Sequence, residues 1–310
     1  LFLGKPSDSR IQKIPDAEQD IRLLSQLGEE QTLGKKLGRM AKENPLAVIS
    51  AGVILILVLG AVFAPVLTPY SYTGMDLRNR LAAPSAAHLF GTDEGGRDIL
   101  TRLLYGSRIS LLTGVVPALL SLVLGTVLGI LSGFAGGKTD SLIMRLADIM
   151  LAIPSMLLAM VIMYTLGGGL GNVFLTLTLV NWAGVARIIR SETLKLKNTE
   201  YVEAARVIGV SKSRIMLRHI LPNCVPTMIV LFTLNIPSSI LTESSLSFLG
   251  LGVQAPDASW GLMINAGRQY LYTAPWLCFV PGIAIMVTVL AFNFLGDGLR
   301  DVLDPHQNRE

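Results

Sequence analysis

Residues 149–187 read IMLAIPSMLLAMVIMYTLGGGLGNVFLTLTLVNWAGVAR, and no charged side chain stands between Asp148 and Arg187. One helix through all of them would extend roughly 57 Å at ~1.5 Å per residue, about twice the ~30 Å hydrocarbon layer of a bilayer. The stretch therefore folds back on itself. LGGGLGN (166–172) supplies the reversal, because glycine adopts the backbone angles of a tight turn and weakens a continuing helix. One apolar run thus holds two spans, 148–166 and 171–189. The fold class expected from it is an all-α membrane protein with six transmembrane helices.

The other four spans follow from length. LAVISAGVILILVLGAVFAPVL (46–67) is the first. It begins too far along the sequence for a signal peptide, exceeds the usual apolar core of one, and carries Pro65 where cleavage needs a permissive residue, so it is read as an uncleaved span. Uncharged runs between Arg108 and Lys138, Arg218 and Glu243, and Arg268 and Asp297 give spans at 110–132, 225–248 and 275–296. Composition agrees: 51% of the 310 residues are hydrophobic and 15% charged, against ~25% charged in ordinary soluble domains.

The excess of basic residues (net charge +4) is a matter of topology rather than nucleic-acid binding. Six crossings put both ends of the sequence on one side. Twenty of the 26 Lys and Arg residues lie on that side, eight of them in 1–45 and eight between Arg187 and Arg218. By the positive-inside rule it is the cytoplasmic side. The chain then divides into an N-terminal cytoplasmic extension (1–45), the first span (46–67), an extracytoplasmic segment (68–109), a core membrane domain (110–297) and a cytoplasmic tail (298–310). Tyr270, Tyr272 and Trp276 are expected as an aromatic cluster at the outer interface. Cys224 and Cys278 fall near opposite membrane faces, which is incompatible with a bond between them. His88, His219 and His306 have no metal-ligand spacing.

Several motifs mislead. FAGGKTD (134–140) contains Gly-Lys-Thr, but a phosphate loop needs a glycine five residues before the second one, and counting back from Gly137 reaches Ser132. Neither GGGLGN nor LGLGVQ completes a dinucleotide fingerprint. No Ser/His/Asp or Cys/His grouping marks an active site. Gly125, Gly129 and Gly133 repeat at four-residue spacing, which suits close helix packing.

One stretch does not belong in lipid: EYVEAARVIGVSKSRIMLRHILPN, from Glu200 to Asn223. Read helically, Tyr201, Ala204, Ala205 and Ile208 share a face, with Glu200, Glu203 and Arg206 elsewhere on the turn. Gly209 stops this helix, Ser211 caps the next, and Met216, Leu217, Ile220 and Leu221 give that second arm an apolar stripe ending at Pro222. An amphipathic loop lying on headgroups through Lys212, Arg214 and Arg218 is the alternative from periodicity alone.

EAARVIGVSKSRIMLRHILP resembles the loop by which permease subunits of ABC importers dock onto their ATPase subunits, with Glu203, Ala204, Ala205, Gly209, Leu221 and Pro222 in the matching positions. His219 stands where the wider family often has Ile, a departure that peptide-type members share. FGTDEGGRDILTRLLYGSRISL (90–111), GGKTDSLIMR (136–145), ESSLSFLGLGVQAPDASWG (243–261) and FNFLGDGLRDVLDP (292–305) extend the resemblance to the C-type permease of oligopeptide and dipeptide importers. It implies the type I importer fold, a coupling loop at 198–222, and a multi-pass location in a bacterial or archaeal inner membrane. It further implies a second permease as heterodimer partner, two ATP-binding subunits, an extracytoplasmic substrate-binding protein and a peptide cargo. ATP and Mg would be held by the partner ATPases, leaving this chain without cofactor, metal or catalytic site. Nickel and glutathione importers have similar subunits, and an ion-coupled secondary carrier is the rival of another class.

Further site residues are read by position. Glu243 lies within a span and either lines the route or is a packing contact. Asn181 and Asn235 either face a cavity or bridge helices. Asp148 is expected to pair with Arg145. On the outer side Asp93, Glu94, Arg97 and Asp98 crowd a glycine-rich turn, as contacts for the binding protein or as braces of the outer mouth, ahead of an interfacial helix carrying Leu100, Leu103 and Leu104.

Overall fold

The computed structural model describes residues 44–303. The expected N-terminal extension, apart from its last two residues, and the end of the expected tail lie outside the described residues. The elements are α1 (Pro45–Val62), a single turn α2 (Ala64–Leu67), α3 (Ile99–Ala135), α4 (Gly137–Ala152), α5 (Ser155–Leu166), α6 (Leu170–Lys197), α7 (Glu200–Val207), α8 (Lys212–Phe248), α9 (Trp260–Gly267) and α10 (Trp276–Leu303). Among the described residues five helices, α1, α3, α6, α8 and α10, are long and apolar enough to cross a membrane. Counting the bent pair α4–α5 as one span makes six.

The deciding stretch reverses where expected. α5 ends at Leu166, Gly167 (φ 83°) and Gly169 (φ 131°) take left-handed angles, and α6 starts at Leu170. The side chain of Asn172 reaches back to donate to the carbonyls of Leu166 and Gly167 at 2.9 and 3.0 Å, closing the turn. The span expected at 148–166 needs correction: it is not one helix. Ile153 and Pro154 break it, and α4 and α5 meet at 93°. Pro154 disfavours a helical residue before it, and Ile153 duly takes an extended conformation.

The spans expected at 110–132 and 225–248 were both drawn too short. α3 begins at Ile99, so Leu103 and Leu104 lie in its opening turns rather than on a separate interfacial helix. Charge misled the sequence reading there, because Arg102 and Arg108 find partners within the chain: Arg102 faces Asp93 at 3.4 Å, and Arg108 donates to the carbonyls of Ala61 and Val62. α8 runs without a break from the polar loop into the span. α10 likewise continues to Leu303, past the expected tail boundary.

α3 and α6 form the centre. A Cβ on Gly125 would lie 2.6 Å from Cβ of Val185, one on Gly129 2.7 Å from the carbonyl of Ala186, and one on Gly133 2.8 Å from Cβ of Thr193. The glycine repeat therefore lets two backbones touch. α8 and α10 add the second half of the core, where Ile236, Ile240, Ile285 and Phe292 cluster with Leu111 and Trp260.

Candidate functional site

The loop from 198 to 222 is built on a helix end. Asn198 and Thr199 close α6, and the backbone carbonyl of Thr199 accepts from the N–H groups of Val202 and Glu203 to start α7. Glu200 and Glu203 sit in the first turn of α7 and Arg206 in the last, each matching the sign that the helix dipole favours. α7 ends in a Schellman motif: Gly209 N–H donates to Arg206 O and Val210 N–H to Ala205 O, with Gly209 at φ 81°. Ser211 then takes the cap position of α8 with extended backbone, but its side chain makes no capping bond, contrary to expectation.

The faces of α7 are divided differently from the sequence reading. Val202 and Ala205 are buried, packed with Ile215 and Ile220 of α8 against Ile130 and Phe134 of α3 and Val185 and Ile189 of α6. Tyr201, Ala204, Val207 and Ile208 are exposed, Val207 and Ile208 at 86% and 78% of their surface. Ala205 thus belongs to the inward face with Val202 three residues before it, while Ala204 belongs to the outward one. The clue was present in the i, i+3 spacing of Val202 and Ala205, hidden by reading the two alanines as a pair. Leu217 of α8 is exposed beside them, and His219 packs its ring 6.3 Å from that of Tyr201.

The second arm does not end at Pro222. Residues Met216–Ile220 widen into a π turn, in which Leu221 N–H donates to Met216 O, and α8 continues through Pro222. In a regular α-helix the ring of Pro222 would press on the carbonyl of Arg218; the extra residue of the π turn relieves this. Loop and span are one rod.

Long-range ties fix the base of the loop. Lys197 Nζ donates to the carbonyl of Phe134 at 2.8 Å, at the C-terminus of α3, and the guanidinium of Arg206 lies 5.4 Å from the Phe134 ring centre. Arg190 of α6 grips Asp140 of α4 through two bonds of 2.5 and 2.6 Å, while Ser132 also donates to Asp140. Asp148 pairs with Arg187 of α6 at 2.6 Å, not with Arg145 as expected. Sequence reasoning had no signal for these partners, which lie 39 to 63 positions apart.

The other sequence-selected residues are dispersed. Asn181 reaches Ser239 Oγ of α8 at 3.4 Å, a helix bridge, whereas Asn235 donates to Leu231 O in its own helix. Glu243 is wholly enclosed at 0% exposure and accepts from Ser247 Oγ at 2.6 Å, so its carboxyl opens onto no route in this conformation. In the outer segment Asp93 and Asp98 are buried and spent internally. Asp93 accepts from Arg97 at 2.7 Å and from two backbone N–H groups, while Asp98 caps α3 through Thr101 and meets His88 at 3.0 Å. Trp276 bonds to Thr92 O, and Tyr270 accepts from Arg80; of the expected aromatic cluster, Tyr272 stands free in the surroundings at 99% exposure.

Fold and site together define a multi-pass membrane protein with an exposed apolar face on an otherwise polar loop that is continuous with its spans. Residues 125–309 match the family of binding-protein-dependent transport system inner membrane components, and residues 32–84 match the N-terminal transmembrane domain of oligopeptide transport permease C. The chain is 44% identical over 264 residues to the oligopeptide transport system permease protein OppC of Bacillus subtilis, covering 85% of this chain and 87% of the relative. It is 43% identical over 272 residues to the dipeptide transport system permease protein DppC of the same organism, covering 87% and 85%. In shape it is similar to a chain of an inward-facing structure of the MetNI methionine ABC transporter, with a TM-score of 0.54 at 19% identity over 66% of this chain and 96% of that one. The chain belongs to the binding-protein-dependent inner-membrane permeases, and within them to the OppC/DppC family. It is a transport subunit with no ATPase activity of its own, and it works with ATPase and binding-protein partners.

Proposed function

We propose that this chain forms one half of the translocation path of an ATP-driven peptide importer, as a heterodimer with a second permease standing on two ATP-binding subunits. The observation that carries the reading is the division of α7. Its Val202 and Ala205 face is locked into the core with α3 and α6, while Tyr201, Ala204, Val207 and Ile208 are left bare on the cytoplasmic side. A soluble loop that exposes two large aliphatic side chains is incomplete without a protein partner. Movement imposed on that face passes through the Gly209 corner into α8, which is continuous from Lys212 to Phe248.

The relatives' names, oligopeptide and dipeptide permease, support a peptide cargo. Glu243, the carboxylate in the outer part of α8, is enclosed and accepts from Ser247, so it offers no exposed anchor specific to one cargo, which suits substrates of varied sequence selected by a separate binding protein. The distribution of Lys and Arg supports a cytoplasmic location for both ends of the sequence. The test is reconstitution in liposomes with both ATPases, the second permease and the binding protein, supplied with a synthetic pool of di- to pentapeptides. Peptide-stimulated ATP hydrolysis and uptake are expected. Uptake by this chain without the ATPases would overturn the reading.

A further inference from the structure

At its outer end α8 is pressed against the segment 249–260 and α9. A Cβ on Gly261 would lie 2.6 Å from Cα of Ser244, and one on Gly252 would meet Ser247 at its side-chain oxygen and, at 2.7 Å, its backbone nitrogen. Two backbones are therefore in contact at this point. Hydrogen bonds cross the contact. Ser247 Oγ donates to Glu243 Oε1 at 2.6 Å and accepts from Val253 N–H at 3.1 Å, and Asn265 of α9 donates to the carbonyl of Ser247 at 2.9 Å. Trp260, fully buried, joins the same segment to α3 by two donated bonds, from its indole N–H to Leu103 O and from its backbone N–H to Ser110 Oγ.

Glu243 is the ionisable group at this contact. It is fully buried, no cationic side chain among the described residues pairs with it, and its Oε2 and the neighbouring Ser244 Oγ have no partner within the chain. Leaving polar atoms so enclosed costs free energy. A solvent-facing or path-lining role would not require the cost, because an open carboxyl is hydrated. What the carboxyl does achieve is to orient Ser247, whose hydroxyl then holds the backbone of Val253.

We propose that Glu243 is a positioning residue that clasps the outer segment 249–260 and α9 to α8, so that the outer mouth and the coupling loop move as one body. The two ends of the same rod then carry the two contacts that transport needs: the ATPase docking face on the inside and the outer segment on the outside. The consequence for transport rests on the coupling reading above; the clasp itself can be read without turnover.

In the assembled complex carrying Cys224→Ser and Cys278→Ser, spin labels are placed through Ser245→Cys on α8 and Asp257→Cys on the outer segment, both exposed. A single narrow distance distribution, the same without nucleotide and with ATP plus vanadate, is the expected result. A distribution that shifts between those states shows the segment moving independently and overturns the proposal. Glu243→Leu should broaden the distribution and lower the stimulation of ATP hydrolysis by peptide-loaded binding protein roughly tenfold relative to the basal rate of the same preparation. Glu243→Gln, whose amide oxygen still accepts from Ser247, should restore both. If Glu243→Leu leaves the distribution narrow, or Glu243→Gln behaves like Glu243→Leu, the hydrogen-bonded clasp is refuted. Should Glu243→Leu fail to assemble, Ser247→Ala removes only the bridging hydroxyl and must broaden the distribution. A native complex with a rigid label pair but no response to loop variants would sink the coupling reading alone.

Discussion

Gly209 is the residue on which the loop turns. At φ 81° it occupies the left-handed region, and a side chain there costs about 1–2 kcal/mol, more for a β-branched one. Nothing lies within 4 Å of its would-be Cβ, so the penalty is conformational and not steric. Gly209→Val should therefore leave membrane insertion and abundance near native, yet open the Schellman bonds to Ala205 and Arg206 and lower peptide-stimulated ATP hydrolysis several-fold. Gly209→Asn, which tolerates the same angles, should retain most of it. Equal behaviour of the two variants in the reconstituted complex would show that the corner is not what matters. Gly129 presents the opposite case. Its φ is ordinary for a helix, but a Cβ would meet Ala186 O at 2.7 Å, so Gly129→Leu should separate α3 from α6 and destabilise by about 1–3 kcal/mol. Gly184, with nothing within 4 Å, should accept Ala without loss, and thermal unfolding in detergent compares the two.

Among the elements, the sequence marked those whose signals are local. The reversal at 166–172 was legible because glycines and length both demanded it, and Gly209 because a helix-ending glycine before Ser211 has a known geometry. What was not legible depended on distant partners. α3 reached back to Ile99 only because Asp93, Ala61 and Val62 absorb two arginines that otherwise mark a membrane boundary. Asp148 chose Arg187 across the interface with α6 over Arg145 in its own helix. The π turn at Met216–Ile220 was invisible because proline was read as a stop, although Pro222 is carried by a widened turn. That turn sets the rotation of the first turn of α8, and of Ile215 against α7, relative to the span. Deleting Leu217, whose side chain is exposed, should return the segment to regular α-helix and rotate the start of α8 by about 100° while drawing it in by ~1.5 Å, which pulls it out of register with α7. Insertion and heterodimer formation are expected to survive while the ATPases no longer co-purify. Retention of both ATPases at native ratio would contradict a docking face fixed by this turn.

At the scale of the whole molecule, most of the described charged residues lie toward the two ends of the helices, and the ends are chemically distinct. One carries the exposed face of α7 with Lys212, Arg214 and Arg218 beside it; the other carries the compact outer segment in which Asp93, Arg97, Arg102, Asp98 and His88 satisfy one another. An energy-coupled importer needs this asymmetry, because its motor and its substrate donor approach from opposite compartments. Orientation then becomes the decisive expectation, and it follows from charge: six crossings would put the α7 end on the same side as twenty of the 26 Lys and Arg residues. In the Cys224→Ser, Cys278→Ser background, Asp257→Cys in the outer segment should react with a membrane-impermeant maleimide on intact cells. Ser213→Cys, exposed near the start of α8, should react only after the membrane is permeabilised. The reverse pattern would put the docking face outside, out of reach of any ATP-hydrolysing partner, and the coupling reading could not stand.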